Sequence, residues 1–171
     1  MIRLLGALLM LAGSACWGFS GVLRLNRRAK ALAALTGAVG VIKSEVCDRL
    51  SPVPEVLVTL INRADRPADA FFRRVYKKLP KLGKNTFPEL WRQAAEESPE
   101  LCLKETEMTA LYALGNALGR YGADEQGREL DYIARRFEGF LTDAEAERKR
   151  DAGMHAALGV AAGVFCVIIL L

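Results

Sequence analysis

The 171-residue sequence predicts an all-α protein: a six-helix cytoplasmic bundle continuous with an N-terminal and a C-terminal transmembrane helix. Three observations predict it. Every Lys, Arg, Asp and Glu except Arg3 and Arg24 lies between residues 25 and 153, so each end of the chain is a long uncharged run. Within the charged middle, apolar residues recur at spacings of three and four, without the sustained alternation of strands. Prolines and glycines then cut that pattern into six segments. The composition is 51% hydrophobic and 26% charged, with a mean hydropathy of +0.13. The middle alone carries 22 basic and 20 acidic residues, the make-up of a water-facing domain large enough for one core. This excludes a plain cytosolic globule, a polytopic transporter, a collagen-like fibre and a disordered chain.

The predicted domains are a first transmembrane helix over 1–24, the bundle over 25–153 and a second transmembrane helix over 154–171. Residues 4–23 form 20 uncharged positions and 154–171 form 18, or about 30 and 27 Å of helix, enough to cross the hydrocarbon core. The second run holds the chain's one histidine, His155. Arg24, Arg27, Arg28 and Lys30 follow the first run; Arg148, Lys149 and Arg150 precede the second. By the positive-inside rule both flanks place the middle in the cytoplasm and both termini across the membrane. Ser14 and Gly18, like Gly159 and Gly163, have the small-xxx-small spacing that allows close packing of helices in lipid; common Gly and Ala in such helices explains them equally well. The alternative is a secreted lipoprotein. Gly13-Ser14-Ala15-Cys16 resembles a lipidation site without its usual Leu, but the apolar run continues past Cys16.

Each helix of the middle has its own signal. In the first, Leu32, Leu35, Val39, Ile42, Val46 and Leu50 form one stripe, until Pro52 and Pro54 end it and open a second helix with Val56, Leu57, Leu60 and Ile61 inward. Pro67 starts a third, with Phe71, Phe72, Val75, Tyr76 and Leu79 as its apolar face. Residues 80–85 form a loop, and Thr86 with Pro88 begins a short fourth helix carrying Leu90, Trp91 and Ala94. The fifth covers about 104–120 with Met108, Leu111, Leu114 and Leu118 inward, and Gly119 and Gly122 close it. The sixth starts near Ala123, buries Leu130, Ile133, Phe137, Phe140 and Ala144, and merges into the second membrane run.

Catalytic chemistry has little to stand on. No histidine lies in the middle, and Cys16, Cys47, Cys102 and Cys166 include no CxxC pair, so neither a zinc site nor a redox centre is expected; no cofactor or metal is expected at all. Gly83-Lys84-Asn85-Thr86 lacks the spacing and the preceding strand of a P-loop. Glu96, Glu97, Glu105 and Glu107 read as solvated helix faces. Charge is nonetheless uneven: eight basic residues between 63 and 84 face two acids, and six acids between 89 and 107 face two bases. Arg73, Arg74, Lys77 and Lys78 form a basic stripe opposite the apolar face of the third helix. Such a stripe is a solvated surface, or a contact for anionic lipid or an acidic protein partner. Nucleic acid is not expected, because the middle carries a net charge of only +2 and no recognition motif.

Several stretches together resemble one family. Leu5-Gly6-Ala7-Leu8-Leu9 with Gly18-Phe19, then Leu35 through Ile42, Glu45, Val46, Pro52, Glu55 and Leu60, then Leu90-Trp91, then Gly115-Asn116-Ala117-Leu118-Gly119 with Gln126, and Leu158-Gly159 near the end resemble the stage III sporulation protein AB family of endospore-forming bacteria. One departure is Tyr121-Gly122, where that family usually has Ser-Asp, so no role of that Asp carries over. The resemblance implies a non-enzymatic scaffold of the channel apparatus between mother cell and forespore, in the outer forespore membrane. It also implies a bundle similar to one helical domain of the inner-membrane platforms of type II secretion and type IV pilus systems. Those platforms have two such domains, so a homo-oligomer is implied here, with a sporulation secretion-type ATPase as the docking partner.

Overall fold

In the computed structural model the backbone is described for residues 2–119 and 123–170, and side chains for 23–119 and 126–151. Six α-helices lie among the described residues: α1 (Ile2–Lys43), α2 (Val53–Arg63), α3 (Ala68–Lys78), α4 (Phe87–Glu96), α5 (Glu105–Leu118) and α6 (Ala123–Leu170). The six segments marked by prolines and glycines are therefore the six helices of an all-α bundle. Among the described residues no helix is long and apolar enough to cross a membrane. The expected spans, with Ser14, Gly18, Gly159 and Gly163, and the Tyr121-Gly122 departure lie outside the residues whose side chains are described.

The largest interface joins α1 to α6, which run antiparallel. Two ion pairs mark their register: Arg28 with Glu147 and, on the surface, Lys43 with Asp131, each at 2.5 Å. The two anchors are 15 residues apart on α1 and 16 on α6, about 23 and 24 Å of helix, so the pair holds one register along its length. Leu32, Leu35, Val39 and Ile42 are fully buried along this seam with Leu130, Ile133 and Phe137. The connections between α2, α3, α4 and α5 are short, as in an up-and-down bundle.

Two positions predicted inward are not. The stripe on α1 stops at Val46, because Ser44–Asp48 is a π-helical turn that shifts the phase of the side chains. Leu50 then takes a left-handed conformation, φ 52°, and is 71% exposed. The Glu45 carboxylate closes this turn, accepting from Arg49 Nη1 at 2.9 Å and Ser51 Oγ at 3.0 Å. On α3, Phe71, Phe72 and Val75 are buried, but Tyr76 is 42% exposed. It sits about 100° around the helix from Val75, at the margin of the apolar face.

Trp91 is the centre of the core on the other side of the bundle. It is fully buried, packs edge-on against Phe71 with ring centroids 5.0 Å apart, and lies near Phe72 and Phe87. Its indole N–H donates to the Leu111 carbonyl at 2.7 Å. The ring lies directly on Gly115: a Cβ there would come within 2.4 Å of Trp91 Cδ1. One turn on, a Cβ at Gly119 would meet the Pro88 ring at 3.1 Å. The Gly-xxx-Gly spacing is thus the notch by which α4 approaches α5. Gln126 Nε2 donates to the Ala117 carbonyl at 2.9 Å, satisfying one of the last carbonyls of α5 from the start of α6.

Candidate functional site

Two charged regions stand out on the bundle. The first is the basic stripe of α3. Arg74 donates to Ser98 Oγ at 2.9 Å and pairs with Glu100. Lys78 pairs with Glu97 at 2.8 Å, and its ammonium holds the Glu97 carboxyl below its ordinary range. The basic run and the acidic run of the sequence therefore meet in two ion pairs between α3 and the α4–α5 connection. Arg73 keeps only a 3.9 Å contact with Asp69, one turn earlier. Lys77 is exposed and makes no ion pair among the described residues. Of the four stripe residues, two are structural and two face water.

The second region was not legible as a site. Arg28 on α1 is 6% exposed and Glu107 on α5 is 1% exposed. The guanidinium Nη2 meets Glu107 Oε1 at 2.5 Å, and Nε donates to both carboxylate oxygens at 3.0 and 3.2 Å. Nη1 reaches Glu147 on α6 at 2.5 Å, and Lys104 Nζ binds the same carboxylate at 2.9 Å. Glu107 also accepts the backbone N–H of Lys104 at 2.8 Å, which caps α5. The expectation that Glu107 lies on a solvated face is overturned. Its carboxylate is consumed by a buried guanidinium, which makes burial tolerable. The cluster joins α1, α5 and α6 in one place, and its geometry is that of a clamp: no group in it is left over for a substrate.

The Glu147 carboxyl is held below the usual carboxylate range, first by Lys104 and then by Arg28. A carboxyl depressed in the folded state adds stability above its unfolded pKa of about 4.3, and loses that contribution as pH falls through the folded value. Wild type is therefore expected to resist urea better than Glu147→Gln at pH 7. That gap should close as the pH drops below about 4. Parallel unfolding midpoints at both pH values check this, and a gap that persists in acid contradicts it.

Among the described residues no group of three or more His, Cys, Asp or Glu is arranged to hold a metal ion. Cys47 and Cys102 are free thiols, and burial pushes the Cys47 thiol above its ordinary value.

Comparison with known proteins agrees with this picture. A family model described as stage III sporulation protein AB matches residues 3–171. The chain is 22% identical over 172 residues to the stage III sporulation protein AB of Bacillus subtilis (strain 168), covering all of both chains. A solved structure of a stage III sporulation protein AB has the same fold. Its TM-score is 0.66 at 20% identity, over 72% of this chain and 98% of that one.

Proposed function

The chain belongs to the stage III sporulation protein AB family, and from that membership we propose that it works as a membrane scaffold docking a cytoplasmic ATPase. It is a non-enzymatic component of the sporulation channel complex between mother cell and forespore. The observation that carries the reading is the match over residues 3–171, with a relative of the same length, on a bundle in which the buried Arg28–Glu107 pair is engaged in holding helices together.

The finer assignments are a two-pass hairpin in the outer forespore membrane, the bundle over 25–153 in the mother-cell cytoplasm, and self-association. The α1–α6 register supports the hairpin. The uncharged run that ends at Leu23 stops five residues before Arg28, and the one that begins at Met154 starts seven after Glu147, so the two runs lie at similar distances in sequence from the Arg28–Glu147 pair. The two uncharged runs would then enter and leave the bilayer at matching depths, where Ser14, Gly18, Gly159 and Gly163 supply small packing faces. A cysteine at Lys84 should be blocked by a membrane-impermeant maleimide only after the cells are opened; labelling in intact cells refutes the orientation.

The docking surface of this reading is the water-facing half of the α3 stripe, Arg73 and Lys77, with Arg74 and Lys78 holding the helix in place behind it. The partner is a secretion-type ATPase presenting an acidic face. Reversing Arg73 and Lys77 to Glu is expected to weaken co-purification of the ATPase with the full-length protein about tenfold or more, while the unfolding temperature stays put. Reversing Arg74 and Lys78 should instead destabilise the bundle by setting like charges beside Glu100 and Glu97. Undiminished capture by the R73E/K77E chain would remove the stripe from the docking surface.

A further inference from the structure

A cavity of about 200 Å³ opens between the N-terminal part of the charged α1 segment, the α2–α3 connection and the short 3-10 turn Pro99–Leu101, lined by Arg27, Lys30, Arg66, Pro67 and Glu100. Three of its five lining residues are cations. All three are exposed and none makes an ion pair among the described residues. The single acid, Glu100, is already engaged by Arg74. Helical spacing separates this site from the buried clamp: Arg28 turns toward α5 and α6, whereas Arg27 and Lys30, three residues apart, share the opposite edge of α1. The pocket thus has mostly apolar walls, Pro67 and the side-chain stems among them, and carries three uncompensated cations.

Its depth identifies the ligand. Arg27 is four residues past Leu23, the end of the first uncharged run, and Lys30 is seven past it. That is about 6 and 10 Å along the helix axis. The polar headgroup layer of a leaflet is about 5–8 Å thick beyond the hydrocarbon, which puts the Arg27 backbone within it and that of Lys30 just beyond, within reach of its long side chain. We propose that this pocket is a receptor for the phosphate of an anionic phospholipid headgroup, bound by the forked donors of Arg27 and Arg66 and the ammonium of Lys30. Arginine matches phosphate oxygens two at a time, lysine supplies a point charge, and the cavity is several times the roughly 30 Å³ of a water molecule. The inference rests on the reading that α1 enters the bilayer just ahead of Arg24. It adds a lipid selectivity that a plain hairpin anchor lacks.

The test uses the full-length protein in dodecyl maltoside, with bound lipid read by native mass spectrometry. The probes are dioleoyl phosphatidylglycerol, dioleoyl phosphatidylcholine and inorganic phosphate. Wild type is expected to retain phosphatidylglycerol at least tenfold better than phosphatidylcholine. Each cation near a lipid headgroup contributes about fivefold in affinity, so R27Q/K30Q/R66Q should lose on the order of a hundredfold. The R27K/R66K chain, which keeps the charge but loses the forks, should bind between wild type and the triple variant, which separates lost charge from lost fold, and unfolding without lipid should be unchanged in both. Equal retention by the triple variant overturns the proposal. So does displacement of the lipid by inorganic phosphate at matched concentration, or a triple variant that keeps the lipid but loses the ATPase. Because micelles have no sides, this outcome does not depend on orientation, which the Lys84 cysteine reports separately.

Discussion

Replacing Glu107 with Ala is expected to destabilise the bundle by about 3 kcal/mol, the lower end of the range for breaking a buried ion pair. The loss is large because Arg28, 6% exposed, keeps its charge when its main partner disappears. Three of its hydrogen bonds go to Glu107 and only one to Glu147. The surviving Glu147 contact, reinforced by Lys104, keeps the cost from reaching the upper end. The backbone N–H of Lys104 also loses its acceptor at the start of α5. Removing both charges gives a different result. An Arg28→Met/Glu107→Leu chain exchanges the pair for apolar bulk of similar size, an exchange that is often neutral. The double variant should therefore be more stable than Glu107→Ala alone. Urea unfolding of the three chains decides it. A Glu107→Ala chain within about 0.5 kcal/mol of wild type, the scatter of an ordinary surface substitution, would show that the clamp does not hold the helices.

The clamp bears on function because of where it sits. Arg28 and Glu147 belong to the two helices that lead toward the uncharged termini, and α5 is the element they share. With the buried apolar seam of Leu32, Leu35, Val39 and Ile42, it opposes sliding of α1 past α6. A displacement applied to the bundle would then reach both termini together. Loosening the clamp is expected to uncouple them before it unfolds the domain.

How much of this the sequence shows depends on whether the deciding contact is local. Helix boundaries were legible because their causes are local: Pro52, Pro54 and Pro67 start or stop backbone hydrogen bonding wherever they stand. The buried faces followed from periodicity alone, down to Leu111, Leu114 and Leu118 on α5. Glu107 lies four residues before Leu111 and Arg28 four before Leu32, so each extends an apolar stripe by one step. That phase was the available signal. A lone charge at the end of a stripe nevertheless reads as the solvated margin, and Arg28 also reads as a flank of the expected membrane span. Their pairing joins positions 79 apart, and only the packing of α5 on α1 reveals it. The same holds for the stripe on α3. Its amphipathic spacing was visible, but not that Arg74 and Lys78 would be used by Glu100 and Glu97. The exposure of Leu50 was hidden for another reason, since a π-turn changes the helical phase without a proline or glycine to mark it.

Gly115 tests whether a motif first seen as a family resemblance is a packing device. A methyl group there would lie 2.4 Å from Trp91 Cδ1 and 2.5 Å from Cγ, well inside any non-bonded contact. Relief requires the indole to move, and it has no room. Phe71, Phe72 and Phe87 surround it, and its N–H is held by the Leu111 carbonyl. Against this, Gly→Ala inside a helix gains about 1 kcal/mol of propensity. Overpacking a filled core costs about 1–3 kcal/mol and occasionally more, and a fixed aromatic places this site at the upper end. Gly115→Ala is therefore expected to lose about 2 kcal/mol net, and Gly115→Val more, since it adds more bulk with a smaller propensity gain. Gly119→Ala meets only the edge of Pro88 at 3.1 Å and should cost less than half as much. The mechanism can be isolated with Trp91→Leu. Alone it should cost several kcal/mol, because it empties the centre of the core. Combined with Gly115→Ala it should cost less than the sum of the two, because the smaller side chain leaves space for the methyl. Strict additivity would mean that Gly115 is required for some other reason. A Gly115→Ala chain more stable than wild type would mean that α4 can back away from α5. In that event the Arg74 and Lys78 contacts to the α4–α5 connection should loosen with it, freeing all four basic residues of α3 for a partner.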